Sequence, residues 1–143
     1  MSRRSKMTLL ISGFVLLVAP ARARADDLTG ADKILCTAVQ ATFCTPESGC
    51  EMGSPWDYNI PQFIEVDLRQ MRLATTPASN ENRATPIRNI QREDGMIFLQ
   101  GVEGGRAFSF VIEEKTGFAS IAVAREKVTV SVFGACTPVP SSR

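Results

Sequence analysis

Apolar and polar residues alternate along much of the chain after residue 62, and a period of two predicts β-strands. In the first such segment Ile64, Val66 and Leu68 alternate with Glu65 and Asp67, which predicts one buried face and one solvent-facing face. Five later segments follow the same pattern and predict further strands: 87–92, 96–101, and the apolar sets Phe108/Phe110/Ile112, Ala119/Ile121/Val123 and Val128/Val130/Val132.

Short turn sequences separate these segments. Asp94-Gly95 and Gly104-Gly105 suit two-residue hairpins, because these residues tolerate the positive φ of a type I′ turn. The turn at 114–117 ends in a glycine that suits a left-handed bulge, and 125–127 is a polar turn. Successive hairpins predict an all-β fold, a small antiparallel meander that forms a barrel or barrel-like sandwich.

The segment 32–44 fits two structures. If the segment were a helix, one face would contain Leu35, Val39 and Phe43. The same three residues are spaced by even numbers, so they also share one face of a strand. We favour a strand, because it places Cys36 beside the last strand, where Cys136 lies.

The first 25 residues have the three-part layout of a secretory signal peptide. A basic start at 3–6 precedes the apolar run 7–18, and Ala23-x-Ala25 fits the small-residue cleavage pattern. The run holds 12 residues, fewer than the roughly 20 of a membrane-spanning helix. The sequence therefore predicts an export signal at 1–25.

Removing this leader leaves 118 of the 143 residues, enough for a single β domain at 26–143 whose core spans about 34–137. All five charges of the leader are basic, so the remainder keeps 11 of the 16 basic residues against 15 acidic ones, a net charge of about −4. Nucleic acid and anionic membrane surfaces select clustered Lys and Arg, and this balance argues against both as partners. We expect a periplasmic or secreted monomer, with no membrane span once the signal is cleaved.

Four cysteines in a short exported chain predict two disulfides, in one of three pairings. The loop between Cys44 and Cys50 contains a proline and a glycine, so a turn can bring its ends together. We favour the pair Cys44–Cys50, which leaves Cys36–Cys136 to join the two ends of the domain. The chain has no Cys-x-x-Cys pair and no histidine, and we predict no metal site and no cofactor.

Without histidine, Ser-His-Asp and Cys-His catalysis is impossible within this chain. Pairs of carboxylates are the remaining candidates for acid–base chemistry, as in a hydrolase, yet each pair also fits a solvated strand face or hairpin end. We therefore predict no catalytic residue and a protein that is not an enzyme. The pairs are Glu65/Asp67, Glu93/Asp94 and Glu113/Glu114.

Residues suited to recognition are more evident. Trp56 and Tyr58 lie in a loop bounded by prolines, and aromatic side chains with a polar end are favoured at interfaces. Arg106 follows a predicted hairpin tip. We predict a non-catalytic binding or inhibitory module for a protein partner, with Trp56, Tyr58 and Arg106 as binding residues, although Trp56 also fits a cover over one barrel end.

The alternative function is a carrier of a small apolar ligand. Its cavity would be lined by four phenylalanines: Phe98, Phe108, Phe110 and Phe133.

Several local sequences occur together in this order: Ile60-Pro61-Gln62-Phe63, Leu99-Gln100-Gly101-Val102-Glu103 and Phe133-Gly134-Ala135-Cys136-Thr137. Across about 36–137 the chain resembles an uncharacterised group of small exported proteobacterial proteins ending in Phe-Gly-Ala-Cys-Thr, which implies a periplasmic location, disulfides and no particular activity. In size, export and topology it is also similar to periplasmic β-barrel inhibitors of lysozymes or proteases. The Ser- and Lys-containing motif of the lysozyme inhibitors has no counterpart here, so this second similarity concerns the fold alone.

Overall fold

The computed structural model describes residues 26–79 and 81–140, so the predicted signal peptide at 1–25 lies outside the described residues. Within these ranges the chain forms ten strands and two short 3₁₀ turns, Pro55–Tyr58 and Pro77–Ser79. The strands are β1 (Lys33–Thr45), β2 (Gly49–Gly53), β3 (Phe63–Asp67), β4 (Arg72–Thr75), β5 (Ala84–Pro86), β6 (Asn89–Glu93), β7 (Met96–Glu103), β8 (Arg106–Glu113), β9 (Phe118–Arg125) and β10 (Val128–Pro138).

All strands pair antiparallel in one sheet with the order β5-β4-β3-β1-β10-β9-β8-β7-β6, and β2 pairs with β1 beside this path. The sheet is curled into a half-barrel, and the prediction of an all-β antiparallel meander is confirmed. Its two edge strands, β5 and β6, are separated only by Ile87 and Arg88. The N–H of Ile87 donates to the Met71 carbonyl and that of Arg88 to the Gln100 carbonyl, both at 2.8 Å, so this short stretch contacts both edges of the sheet.

The segment of ambiguous pattern is a strand, as we favoured, and β1 with β10 forms the centre of the sheet. Cys36 lies opposite Cys136, and a disulfide joins them across a sequence separation of 100. The second disulfide joins Cys44 to Cys50, so both predicted pairings are confirmed. Disulfides persist in oxidising compartments, and the two bridges therefore indicate a location outside the cytoplasm.

Close approach of β1 and β10 requires glycine at position 134. The register of the two strands shifts between Ala38 and Gln40, as expected for a β-bulge. A Cβ atom on Gly134 would lie 2.3 Å from the Thr37 carbonyl oxygen, which is part of the backbone and has no room to move aside. The bulge and the glycine together allow β1 to bend around the curled sheet.

The predicted turns are confirmed at their special residues. Asp94 and Gly95 have φ of 51° and 76°, and Gly104 and Gly105 have φ of 55° and 75°, as type I′ turns require. Gly117 has a φ of 68° before β9, which fits the predicted left-handed bulge.

Large aliphatic side chains fill one end of the curled sheet, which we call the closed end. Leu28 from the segment before β1 is fully buried there with Ile34, Val66, Ile97 and Ile112. The backbone N–H of Leu28 donates to the Glu114 carbonyl at 2.7 Å, which fixes the segment across the strand ends.

One prediction for β3 is wrong. Asp67 was expected to face solvent, yet it is only 8% exposed. Its carboxylate accepts a hydrogen bond from the backbone N–H of Gln70 at 2.8 Å and lies 3.9 Å from Lys33 Nζ. The turn that follows β3 thus folds back over Asp67, and this burial depends on the turn rather than on the alternation within the strand.

Candidate functional site

The end of the sheet opposite the closed end contains a cavity of about 390 Å³. This volume lies within the range of about 300–1,000 Å³ typical of small-molecule sites. The inward faces of β8, β9 and β10 form an apolar wall, because alternate residues of each strand point to the same side. These apolar side chains are Phe108, Phe110, Ile121, Val123, Val128, Val130 and Val132.

Side-chain size contributes to the difference between the two ends. Leucine and isoleucine fill the closed end, whereas many lining residues of the cavity are valine, threonine, alanine or glycine. Gly101 of β7 also matters, because a Cβ atom there would lie 2.3 Å from Cζ of Phe108. The absence of a side chain at position 101 lets the Phe108 ring lie against β7 instead of projecting farther into the cavity.

The loop after β2 covers another side of the cavity. Its 3₁₀ turn, Pro55–Tyr58, positions Tyr58 so that the phenol ring stacks on Phe43, with centroids 5.2 Å apart and planes at 5°. The Tyr58 hydroxyl donates to the Glu51 carbonyl at 3.3 Å, and Ile60 and Pro61 join Tyr58 in the lining. The loop therefore contributes to the cavity through residues 58–61.

Trp56 does not cover the barrel end. Its side chain is 60% exposed and is not among the cavity-lining residues. Asp57 instead fixes this part of the loop, because its carboxylate accepts a hydrogen bond from the Ser54 N–H at 3.3 Å. The structure thus separates Tyr58 and Arg106, which line the cavity, from Trp56, which faces solvent.

The charged residues that line the cavity are Arg83, Arg106 and Arg125, and the described lining includes no acidic side chain. Arg83 forms an ion pair with Glu81 at 2.6 Å. Two hydrogen bonds hold Arg83 next to Thr75: the Thr75 N–H donates to the Arg83 carbonyl, and the Arg83 N–H donates to the Thr75 hydroxyl. Arg106 has a longer contact of 3.4 Å with Glu103. For Arg125 the described residues give no ion pair.

Arg106 and Arg125 lie directly opposite each other on β8 and β9. Like charges at directly opposed positions of an antiparallel pair are destabilising. The cavity therefore has a positively charged rim in a protein whose predicted mature form carries net negative charge.

Arg125 was missed from the sequence, although equal steps along β8 and β9 from the opposed pair Ile112 and Ala119 lead to Arg106 and Arg125.

Two of the four phenylalanines predicted to line a ligand cavity do so, namely Phe108 and Phe110. The prediction is wrong for Phe98 and Phe133. Phe133 is 57% exposed, and Phe98 alternates with the buried Ile97 and Leu99, so both lie on the outer face of the sheet. The apolar run in β7 has large residues at consecutive positions, and alternation alone does not identify its inward face.

The carboxylate pairs considered for acid–base chemistry do not line the cavity. Glu65 pairs with Lys33 at 3.0 Å, Glu114 with Arg92 at 2.7 Å, and Glu113 accepts a hydrogen bond from the Thr116 hydroxyl at 2.6 Å. Within 26–79 and 81–140 no group of three or more metal-ligating side chains is present. In the same residues, no helix is long and apolar enough to cross a membrane.

Comparison with models of protein families, with curated proteins and with solved structures finds no match to this chain.

Proposed function

We propose that this protein binds a small apolar molecule, or the apolar part of one, in the cavity between β8, β9, β10 and the 58–61 loop, and acts as a carrier in the periplasm or after secretion. The observation that carries the proposal is the cavity itself: it is about 390 Å³ in volume and its main wall is apolar. Such a site gains affinity by removing ligand surface from water, at about 0.8 kcal/mol for each buried CH₂ group.

Binding without catalysis accounts best for the composition of the site. Hydrolysis by paired carboxylates needs two acidic groups facing one substrate, and the described lining of the cavity contains none. The arginines can neutralise charge but do not serve as general bases, because they stay protonated.

The first test is a series of linear alcohols added to the oxidised mature protein, with displacement of the neutral fluorophore N-phenyl-1-naphthylamine as the readout. Each additional CH₂ is expected to tighten binding by about fourfold until the cavity is filled. A constant affinity along the series, or no binding of dye and alcohols, contradicts the proposal.

A matched pair of variants locates the site. Val123 lines the cavity, whereas its neighbour Ala124 is exposed and lies on the outer face of the same strand. Val123→Trp is expected to fill the cavity and weaken alcohol binding by at least tenfold, and Ala124→Trp is expected to leave it unchanged. Equal affinity in the two variants, with both still folded by circular dichroism, places binding elsewhere.

A second proposed function is recognition of a protein partner, as the exposed aromatic residue Trp56 favours. The indole is solvent-exposed on a turn held by the Ser54–Asp57 contact and by Tyr58 stacked on Phe43. Met52 of the adjacent β2 is 69% exposed. A tryptophan on a fixed turn has few rotatable bonds to immobilise on binding, and tryptophan is enriched among residues that dominate interface energies.

For this second function, Trp56→Ala is expected to abolish capture of a partner from periplasmic extract while it changes the free energy of unfolding by less than about 0.5 kcal/mol. Val102→Ala removes a comparably exposed apolar side chain from β7 and serves as the control. Unchanged capture by the Trp56 variant refutes a role for this loop.

A further inference from the structure

We propose that the ligand of the cavity is an anionic, single-chain amphiphile whose charged head lies between Arg106 and Arg125 while its alkyl chain extends along the inward faces of β8 and β9. This inference rests on the proposed function and adds the chemical class of the ligand.

The opposed arginines are the central observation. Arg106 and Arg125 are cross-strand neighbours, and both line the cavity. Their mutual repulsion opposes folding, so an anion placed between them removes an unfavourable interaction in addition to forming new hydrogen bonds. A guanidinium group presents paired N–H donors whose geometry matches a carboxylate or a similar oxyanion.

The ion pair of Arg106 with Glu103 only partly compensates the charge of the two arginines. Glu103 lies 3.4 Å from Arg106 Nη2, longer than a strong charge-assisted hydrogen bond. The same carboxylate also accepts a hydrogen bond from the Thr85 hydroxyl. Glu81 compensates Arg83 across the cavity, so the excess positive charge belongs to the pair on β8 and β9.

The apolar wall continues directly from the charged rim. Phe108 and Phe110 follow Arg106 on the same face of β8, and Val123 and Ile121 precede Arg125 on β9. Arg106 and Phe110 are about 13 Å apart along an extended strand. An alkyl chain attached to an anion at the rim therefore meets apolar side chains along its length.

The test compares three probes that share a ten-carbon chain: decanoate, decanol and decyltrimethylammonium, at pH 8, where the carboxylate is ionised. Decanoate is expected to bind about tenfold more tightly than decanol, and the cation more weakly than either. The advantage of decanoate is expected to shrink with added salt, because the rim is partly open to solvent.

Variants that each remove one positive charge test whether Arg106 and Arg125 cause the tighter binding of decanoate. Arg106→Gln and Arg125→Gln are each expected to weaken decanoate binding about tenfold, to weaken decanol binding far less, and not to lower the melting temperature. Arg72→Gln makes the same change in net charge at an exposed position of β4 that is not among the cavity-lining residues, and it is expected to have no effect.

The outcomes separate the two proposals. If decanol binds as tightly as decanoate, or if Arg72→Gln weakens decanoate binding as much as the Arg106 and Arg125 variants do, the proposed anion site is refuted and the proposal of an apolar binding cavity is retained. Preferred binding of the cation also refutes the anion site. If neither decanol nor decanoate binds, the cavity proposal fails and this inference fails with it.

Discussion

Replacing Cys36 and Cys136 together with alanine is expected to lower the free energy of unfolding by about 4–5 kcal/mol. The bridge closes a loop with a sequence separation of 100 and joins β1 to β10, which are neighbours at the centre of the sheet. Without it, the unfolded chain regains the conformational freedom of that long loop. Small domains have total stabilities of about 5–15 kcal/mol, so the variant is expected to be marginally folded.

The second disulfide provides a matched control within the same chain. Cys44 and Cys50 are separated by only 6 positions, and the bridge joins β1 to the peripheral β2. The same chain-entropy relation gives about 2.4 kcal/mol for this short loop. Urea unfolding of the two double variants measures the difference. Equal losses of stability contradict the assignment of the Cys36–Cys136 effect to long-range loop closure.

Leu28→Ala is expected to cost about 2–5 kcal/mol, the range for removing a fully buried leucine side chain. Leu28 is 0% exposed and fills the closed end, although it precedes the first strand. Thermal or urea unfolding checks the value. Val102→Ala, at an exposed position, is the control and is expected to stay within about 0.5 kcal/mol of the parent protein.

The segment that carries Leu28 is also held by charged contacts. Hydrogen bonds with Thr29 and then with Lys115 lower the pKa of Asp27 to about 2 from its ordinary value of 3.8. Since the folded-state pKa is the lower one, the stabilisation is complete above about pH 5 and is lost progressively as the pH falls to about 1. A free energy of unfolding of Leu28→Ala within about 0.5 kcal/mol of the parent protein contradicts the prediction for this side chain.

The strand pattern was predictable in the second half of the chain because β7 to β10 are 8–11 residues long, enough for alternation to be visible, and each follows its predecessor through a tight turn. Asp94-Gly95 and Gly104-Gly105 define hairpins locally, and the order β6 to β10 follows from chain order alone. The strands in the first half of the chain were harder to predict from the sequence. β2, β4 and β5 are three to five residues long, too short for alternation to distinguish them from loops.

The candidate site was predictable only in part. Arg106 and Tyr58 were identified from residue type and loop position, and both line the cavity. Trp56 has the same residue-level features as Tyr58 but points away from the cavity, and the turn geometry at 55–58 decides between them. The contribution of Arg125 depends on strand register, since it becomes notable only when placed opposite Arg106.

The sequence by itself determined the all-β class, the hairpin turns and the two disulfides, because each depends on local alternation, on residues that accept positive φ, or on the positions of four cysteines. The tertiary structure alone decided that Leu28 fills one end of the sheet, that Phe98 and Phe133 face outward, and that two arginines meet at the rim of an apolar cavity. These features depend on contacts between residues distant along the chain. Such contacts are fixed by the curl and register of the whole sheet, which no local pattern specifies.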